Sequence, residues 1–484
     1  MSIGRRIISG TIANTAGIAM NALLQIASVP ILLSAWGAES FGIWVMLTTI
    51  PTYFALTDLG FLQATTSEMA MLVARDEKRR ATRVFFSASA FILCVTSAIF
   101  AVAALLAVGA AASDILPFGV DLRVLLLLAA FSALSLFSRL PVAALRATGH
   151  YAAGTLAYDA VSVAEGFCGL LVAALGGGFA DVALSFLIVR LLNIVTLYVL
   201  LHRSVSWLRL DNTRPGNPWP NNPELQNGAS GAGGEVGPVT VRAPSAGSGG
   251  DIASHDGKGK SASAPAWKSA VDIVEIRALA RPALAAMTIP LALALNLQGV
   301  VLIVGALLSP AAVAVYGPVR TCSRLLIQLV GVVNRATMPE LSRARAGARA
   351  DDLKRIVKVN RLLLLLVLLP GSALFAVIGR EVVMLWSAGH IVPDRTFVLL
   401  VALATLVHGT WYFLSNMLLA TNDHMALAKY SLAASLLTLG LVALFARAAG
   451  LGGVGLALLI GEGVCAIAVW RIFVSHYRQV LRWT

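Results

Sequence analysis

Residues 75–112 read RDEKRRATRVFFSASAFILCVTSAIFAVAALLAVGAAA: a basic knot containing Arg75, Lys78, Arg79, Arg80 and Arg83, then no charge from Val84 to Ala112. An α-helix needs about 20 apolar residues to cross the hydrocarbon core of a bilayer, so the stretch reads as a polar loop feeding a membrane span. The same pattern recurs along the chain. Apolar windows fall near 9–34, 41–72, 82–112, 119–147, 151–177 and 180–202, and again near 278–308, 313–340, 361–379, 397–420, 430–449 and 452–473. The expected fold is all-α and membrane-integral, with about twelve spans.

Composition points the same way. Of 484 residues, 58% are hydrophobic and only 13% charged, too little charge to cover a soluble protein of this length. The mean hydropathy is +0.81. The four cysteines, Cys94, Cys168, Cys322 and Cys465, sit in apolar stretches without paired spacing, which argues against both a disulfide framework and a zinc site. The first apolar stretch is too long and too polar for a cleaved signal peptide, carrying Asn14, Asn21 and Gln25; it reads as a retained first span.

The net charge of +13 does not imply nucleic acid, because the basic residues collect in short clusters between spans. These are Arg5 with Arg6, Arg75 to Arg83, Arg203 to Arg214, Arg343 to Arg361, and Arg471 to Arg482. The intervening loops are short and poor in Lys and Arg, apart from Gly379 to Thr396. By the positive-inside rule the basic loops and both termini are expected in the cytoplasm.

A segment of different character, about 204–270, contains Arg214-Pro-Gly-Asn-Pro-Trp-Pro-Asn-Asn-Pro223 and then Gly-, Ser- and Ala-rich sequence. It cannot bury a core and reads as a disordered cytoplasmic linker. It divides a six-helix N-terminal lobe, 1–203, from a six-helix C-terminal lobe, 271–484. The lobes look related. Ala64-Thr-Thr-Ser-Glu-Met69 matches Ala336-Thr-Met-Pro-Glu-Leu341 at an offset of 272, and Leu145-Arg-Ala-Thr-Gly-His150 matches Leu418-Leu-Ala-Thr-Asn-Asp-His424 at 273. Parallel repeats of this kind place a substrate site at the cleft between halves.

Three stretches then bear a family resemblance: Ile8-Ser-Gly-Thr-Ile-Ala-Asn14, Pro30-Ile-Leu-Leu-Ser-Ala-Trp-Gly-Ala-Glu-Ser-Phe-Gly-Ile-Trp44 and Leu56-Thr-Asp-Leu-Gly60. They resemble the opening of polysaccharide (O-antigen type) flippases, within the multidrug/oligosaccharidyl-lipid/polysaccharide exporter superfamily. The L-x-A-T turns after spans four and ten fit that pattern too. The resemblance implies a two-lobed exporter of the bacterial inner membrane. Its cargo would be an undecaprenyl-pyrophosphate-linked oligosaccharide, and other polysaccharide-assembly membrane proteins would be its partners.

Charges within the spans point to transport independently, since each costs about 3 kcal/mol or more at mid-bilayer. They are Asp58, Glu165, Arg190, Arg320, Arg324, His408 and Glu462, with Arg139 and Arg335 nearer the cytoplasmic side. Arg320 and Arg324 are four apart, hence on one helix face, and a pair of guanidiniums suits a pyrophosphate. Arg190 would face them from the other lobe, with Arg139 completing a candidate substrate site. The competing reading is that these arginines pair with Asp58, Glu165 or Glu462 and lock helices together. Asp58, Glu165, Glu462 and His408 are candidates for ion coupling or for such pairing. The repeat-related Glu68 and Glu340 are candidates for a cytoplasmic gate.

No Walker-type glycine loop, metal-ligand spacing or catalytic arrangement stands in the sequence, so neither a cofactor nor an enzymatic activity is expected. The expected function is a flippase for a lipid-linked oligosaccharide, working by alternating access. The alternatives are a cation-coupled exporter of small molecules on the same fold and, from another class, a membrane glycan polymerase or ligase.

Overall fold

In the computed structural model, residues 3–54, 61–113, 119–208, 291–346, 350–419 and 424–481 are described. Side chains before Met20, and those around 335–354, 419–426 and 476–481, lie outside that description. Asp58 and the expected linker beyond Leu208 lie outside it, while Val205 and Leu208 at the linker's start pack into the first half. Among the described residues every regular element is helical.

In the first half the helices are α1 (Ile3–Leu47), α2 (Thr49–Phe54), α3 (Phe61–Ala74), α4 (Lys78–Ala112), α5 (Leu122–Ala147), α6 (Tyr151–Ala174) and α7 (Phe179–Ser204). In the second they are α8 (Val300–Leu307), α9 (Pro310–Ala346), α10 (Ala350–Leu363), α11 (Leu369–Trp386), α12 (Arg395–Leu419) and α13 (His424–Leu481). Single π turns at Leu295–Gly299 and Leu364–Leu368 lead into α8 and α11. Among the described residues eight stretches are long and apolar enough to cross a membrane, which makes this a multi-pass membrane protein.

Eight stretches hold more than eight crossings, because two of them are hairpins. Straight, the 58 residues of α13 would extend roughly 87 Å, far beyond a bilayer. The chain turns instead at Gly450, whose φ of 56° belongs to the left-handed region that glycine tolerates. A Cβ on Gly461 would overlap Thr438, 23 residues earlier, so the two arms of α13 pack side by side. In α1 the turn is Gly37, at φ 76°. The rings of Trp36 and Trp44 stand 5.5 Å apart across it. Both turns fall in loops that the sequence places outside the cytoplasm. The window at 41–72 is broken as well: α1, α2 and α3 share it, with Pro51 inside α2.

The buried apolar residues form three clusters. The largest draws on both halves, joining Leu33, Phe41 and Val182 to Val304, Val313, Phe397 and Val454. All of these lie toward the loops opposite the basic clusters, most of them poor in Lys and Arg. At the opposite end the core divides. One cluster, around Met69, Leu72, Leu145 and Leu201, contains only first-half residues. Another, around Trp411, Leu418 and Phe473, contains only second-half residues. Among the described residues the halves thus share a core at one end and keep separate cores at the end carrying the basic clusters.

Close approach at the shared end depends on small residues. A Cβ on Gly42 would overlap the Pro310 carbonyl, and one on Gly305 would overlap the Met46 thioether. A third contact uses a defect in a helix. Pro30 has no N–H, so the Ile26 carbonyl loses its usual i+4 partner. The indole Nε1 of Trp386, from the other half, donates to that carbonyl at 2.6 Å. The carbonyl left without a helical donor is satisfied, and this hydrogen bond joins the halves.

Candidate functional site

In the first half, α6 and α7 present Glu165 and Arg190 to each other. Arg190 Nη2 donates to Glu165 Oε2 at 2.6 Å, with the two side chains 5% and 7% exposed. Arg190 Nη1 donates to Ser138 Oγ at 3.1 Å on α5. The guanidinium also lies over the rings of Phe131, at 5.2 Å, and Tyr158, at 5.6 Å. Tyr158 interacts with Arg139 as well, which places that half-buried arginine beside the cluster. Glu165 Oε1 and Arg190 Nε have no partner among the described residues. Arg190 therefore sits within its own half, neutralised, and does not face Arg320 and Arg324.

The second half carries its own polar cluster. Arg320 on α9 donates through Nη1 to the hydroxyl of Tyr316, one turn earlier, and through Nη2 to Asn296 Oδ1 at 3.1 Å. Asn296 lies in the π turn before α8, a local widening common where a helix serves a site. Glu462, on the second arm of α13, accepts from Trp411 Nε1 at 2.8 Å and bonds His408 Nδ1 at 3.0 Å. The His408 ring stands edge-on to Trp411 and stacks on Tyr412. Arg320 and Glu462 interact electrostatically without touching as an ion pair.

The two clusters are spaced along the sequence like the paired motifs. Arg190 and Glu462 are 272 residues apart, and their partners Ser138 and Trp411 are 273 apart. These are the offsets of the sequence motifs. Each half joins its last long helix to an earlier one through a charged side chain, the buried Arg190 in the first and the partly buried Glu462 in the second.

Arg324 differs from the others. It is exposed, and it has no counter-ion among the described residues. Its direction follows from its neighbours on α9. Gly317, Pro318 and Thr321 line a cavity of about 240 Å³ between the halves, opposite Gln25, Ser28, Trp44 and Thr48. Positions 317, 321, 324 and 328 share one helix face. Arg324 and the exposed Gln328 thus continue this inter-half stripe toward the end where the cores separate. A charge on the opposite face would stand against lipid, at a cost of several kcal/mol.

Glu68 reaches toward Arg80 at 4.0 Å, in the basic loop of its own half. The side chain of Glu340 lies outside the described residues. Among the described residues no group of three or more His, Cys, Asp or Glu side chains is placed to hold a metal ion. Asn296, Tyr316, Tyr158, Ser138 and Trp411 were not singled out in the sequence. Tyr316 was accessible from its i−4 spacing to Arg320, and Asn296 from being an amide in an apolar stretch. Nothing local marks Ser138 or Trp411.

No family model matches the chain, and no curated protein does. Solved structures do share its fold. A multidrug resistance MATE-family transporter of the MOP superfamily in its inward-facing conformation aligns over 95% of this chain and 99% of its own, with TM-score 0.62 and 15% identity. The outward-facing conformation described in the same terms aligns over 98% and 96%, with TM-score 0.53 and 15% identity. A MOP-superfamily transporter from Pyrococcus furiosus, described as having a binding pocket of reverse polarity, aligns over 98% and 94%, with TM-score 0.54 and 14% identity. At these identities the likeness establishes the fold.

Proposed function

We propose that this chain is an alternating-access exporter of small amphipathic organic anions, with its basic loops in the cytoplasm of a bacterial inner membrane. The observation that carries the reading is the division of the core. Halves that share one apolar cluster and part at the other end have a pivot and a mouth. With the basic loops cytoplasmic, the mouth opens inward. The better overlay on the inward-facing neighbour supports this.

The preference for anions rests on charge. Arg190 is neutralised by Glu165, and Glu462 is engaged by His408 and Trp411. Arg320 is held by two neutral acceptors, and Arg324 stands on the stripe between the halves with no counter-ion among the described residues. A guanidinium in low dielectric attracts carboxylates, sulfonates and phosphates through charge-assisted hydrogen bonds. Among the structures sharing the fold, some are described as multidrug resistance transporters, and for one a reversed pocket polarity is described as suggesting a different function, which supports reading the cargo of this chain from its charges.

The second reading is flipping of a lipid-linked oligosaccharide. The arginines suit its pyrophosphate, and the opening stretches of sequence resemble that family. Deleting the gene distinguishes the two. The exporter reading expects normal surface glycan and raised intracellular organic anions or sensitivity to them. Loss of surface glycan, with the lipid-linked unit accumulating on the cytoplasmic leaflet, would establish flipping instead.

A further inference from the structure

A second cavity lies apart from the gap between the halves. It occupies about 600 Å³ within the second half, among α9, the run from α10 through its π turn, α12 and the last arm of α13. Its walls are apolar, with Val330, Leu364, Leu414 and Trp470 among them, and Trp470 is half exposed. Its inner end narrows where Gly409 meets Leu368 so closely that a Cβ would overlap the leucine. Its polar groups include Asn360, Arg361 and Arg471, and both arginines belong to the basic clusters beside the membrane.

A neighbouring cavity of about 450 Å³ shares Ile467 and Arg471 with the first. These two residues are four apart and form a ridge on one helix face, with an apolar slot on either side.

The polar end has unused capacity. Arg361 and Arg471 are exposed, and neither has an ion pair or hydrogen bond among the described residues. Asn360 is 4% exposed, and its Oδ1 is buried without a donor. A buried amide oxygen left unpaired costs about 1–3 kcal/mol, so a ligand bringing a hydroxyl donor would be held there.

From this geometry we infer that the second half binds one anionic diacyl glycerophospholipid of the leaflet on the basic side. Its acyl chains occupy the two slots, its phosphate meets Arg361 and Arg471, and a headgroup hydroxyl donates to Asn360. Two apolar slots flanking one guanidinium match two chains joined at one phosphate. Basic pockets between helices at the membrane surface attract anionic headgroups. The site also touches the central cluster, because Trp411 lines the slot while donating to Glu462. The inference stands whichever cargo the central site carries.

The test uses the full chain in lipid nanodiscs of phosphatidylcholine doped with phosphatidylglycerol, followed by detergent extraction and native mass spectrometry. The parent is expected to retain one phosphatidylglycerol per chain in preference to phosphatidylcholine. Arg361→Gln with Arg471→Gln should lower that preference by at least about tenfold, from about 1 kcal/mol per basic group. Ala466→Phe, which fills the first slot and leaves the arginines in place, should also release the lipid while the helical circular dichroism stays unchanged. Equal retention of phosphatidylcholine and phosphatidylglycerol would overturn the inference. So would retention that survives both variants.

Discussion

Replacing Glu165 with alanine isolates the guanidinium of Arg190 where it is 4% exposed. Ser138 Oγ, at 3.1 Å, and the rings of Phe131 and Tyr158 would remain. These are neutral partners. A ring returns about 0.5–2 kcal/mol to a desolvated cation, whereas removing one member of a buried ion pair costs about 3–5 kcal/mol. The nearby Arg139 works against retention of the charge. The net loss should be about 3 kcal/mol. At roughly 2–4 °C per kcal/mol for a unit the size of one half, the melting temperature should fall by roughly 6–12 °C. Replacing Arg190 and Glu165 together with leucine removes both charges and their desolvation cost, so the double variant should lie within about 1 kcal/mol of the parent. The assay is thermal unfolding of purified protein in one detergent, comparing the parent, Glu165→Ala, Arg190→Leu and the double leucine variant. A double variant as unstable as either single one would refute the reasoning, as would an unaffected Glu165→Ala.

Other perturbations act elsewhere in the fold. Arg324→Ala should leave the melting temperature within about 2 °C of the parent, because an unpaired exposed arginine contributes little stability. It should weaken binding of an aryl sulfonate probe by about tenfold in calorimetry, with Arg324→Lys recovering only part. Trp386→Phe removes the indole donor and leaves the Ile26 carbonyl orphaned, costing about 1–3 kcal/mol. Pro30→Ala, which restores a backbone N–H for that carbonyl, should suppress the defect when combined with it, and a double-mutant cycle measures the coupling. Gly461→Val forces its side chain into Thr438 across the α13 hairpin, so expression of folded protein should drop sharply in size-exclusion profiles.

The helices were legible in the sequence because their signal is one-dimensional: a run of apolar residues long enough for a bilayer is visible without knowing what packs against it. The turns were legible for the same reason. Gly37-Ala-Glu-Ser40 and Ala449 to Gly453 interrupt apolar runs, and the chain reverses at Gly37 and Gly450. Which charges meet was not legible. Glu165 and Arg190 are 25 residues apart on two helices, and their pairing depends on the rotation of each helix about its axis. Without a helix phase, the sequence leaves Arg190 either facing Arg320 and Arg324 or paired with a carboxylate; packing turns it toward Glu165 on α6. Asn296 and Trp411 were missed for a related reason. A neutral amide or indole costs little in an apolar stretch and becomes notable only once a charge is found beside it.

The central claim is that the two halves pivot about the cluster they share. It is tested most directly by spin-label distances in nanodiscs, with one pair at Glu77 and Lys358 near the basic end and another at Leu175 and Ala388 near the shared end. Gly42→Leu wedges the shared end open at Pro310. The account predicts that this substitution lengthens the second distance and shortens the first. Two distances that change in the same direction, or a basic-end distance that does not move when the shared end widens, would contradict it.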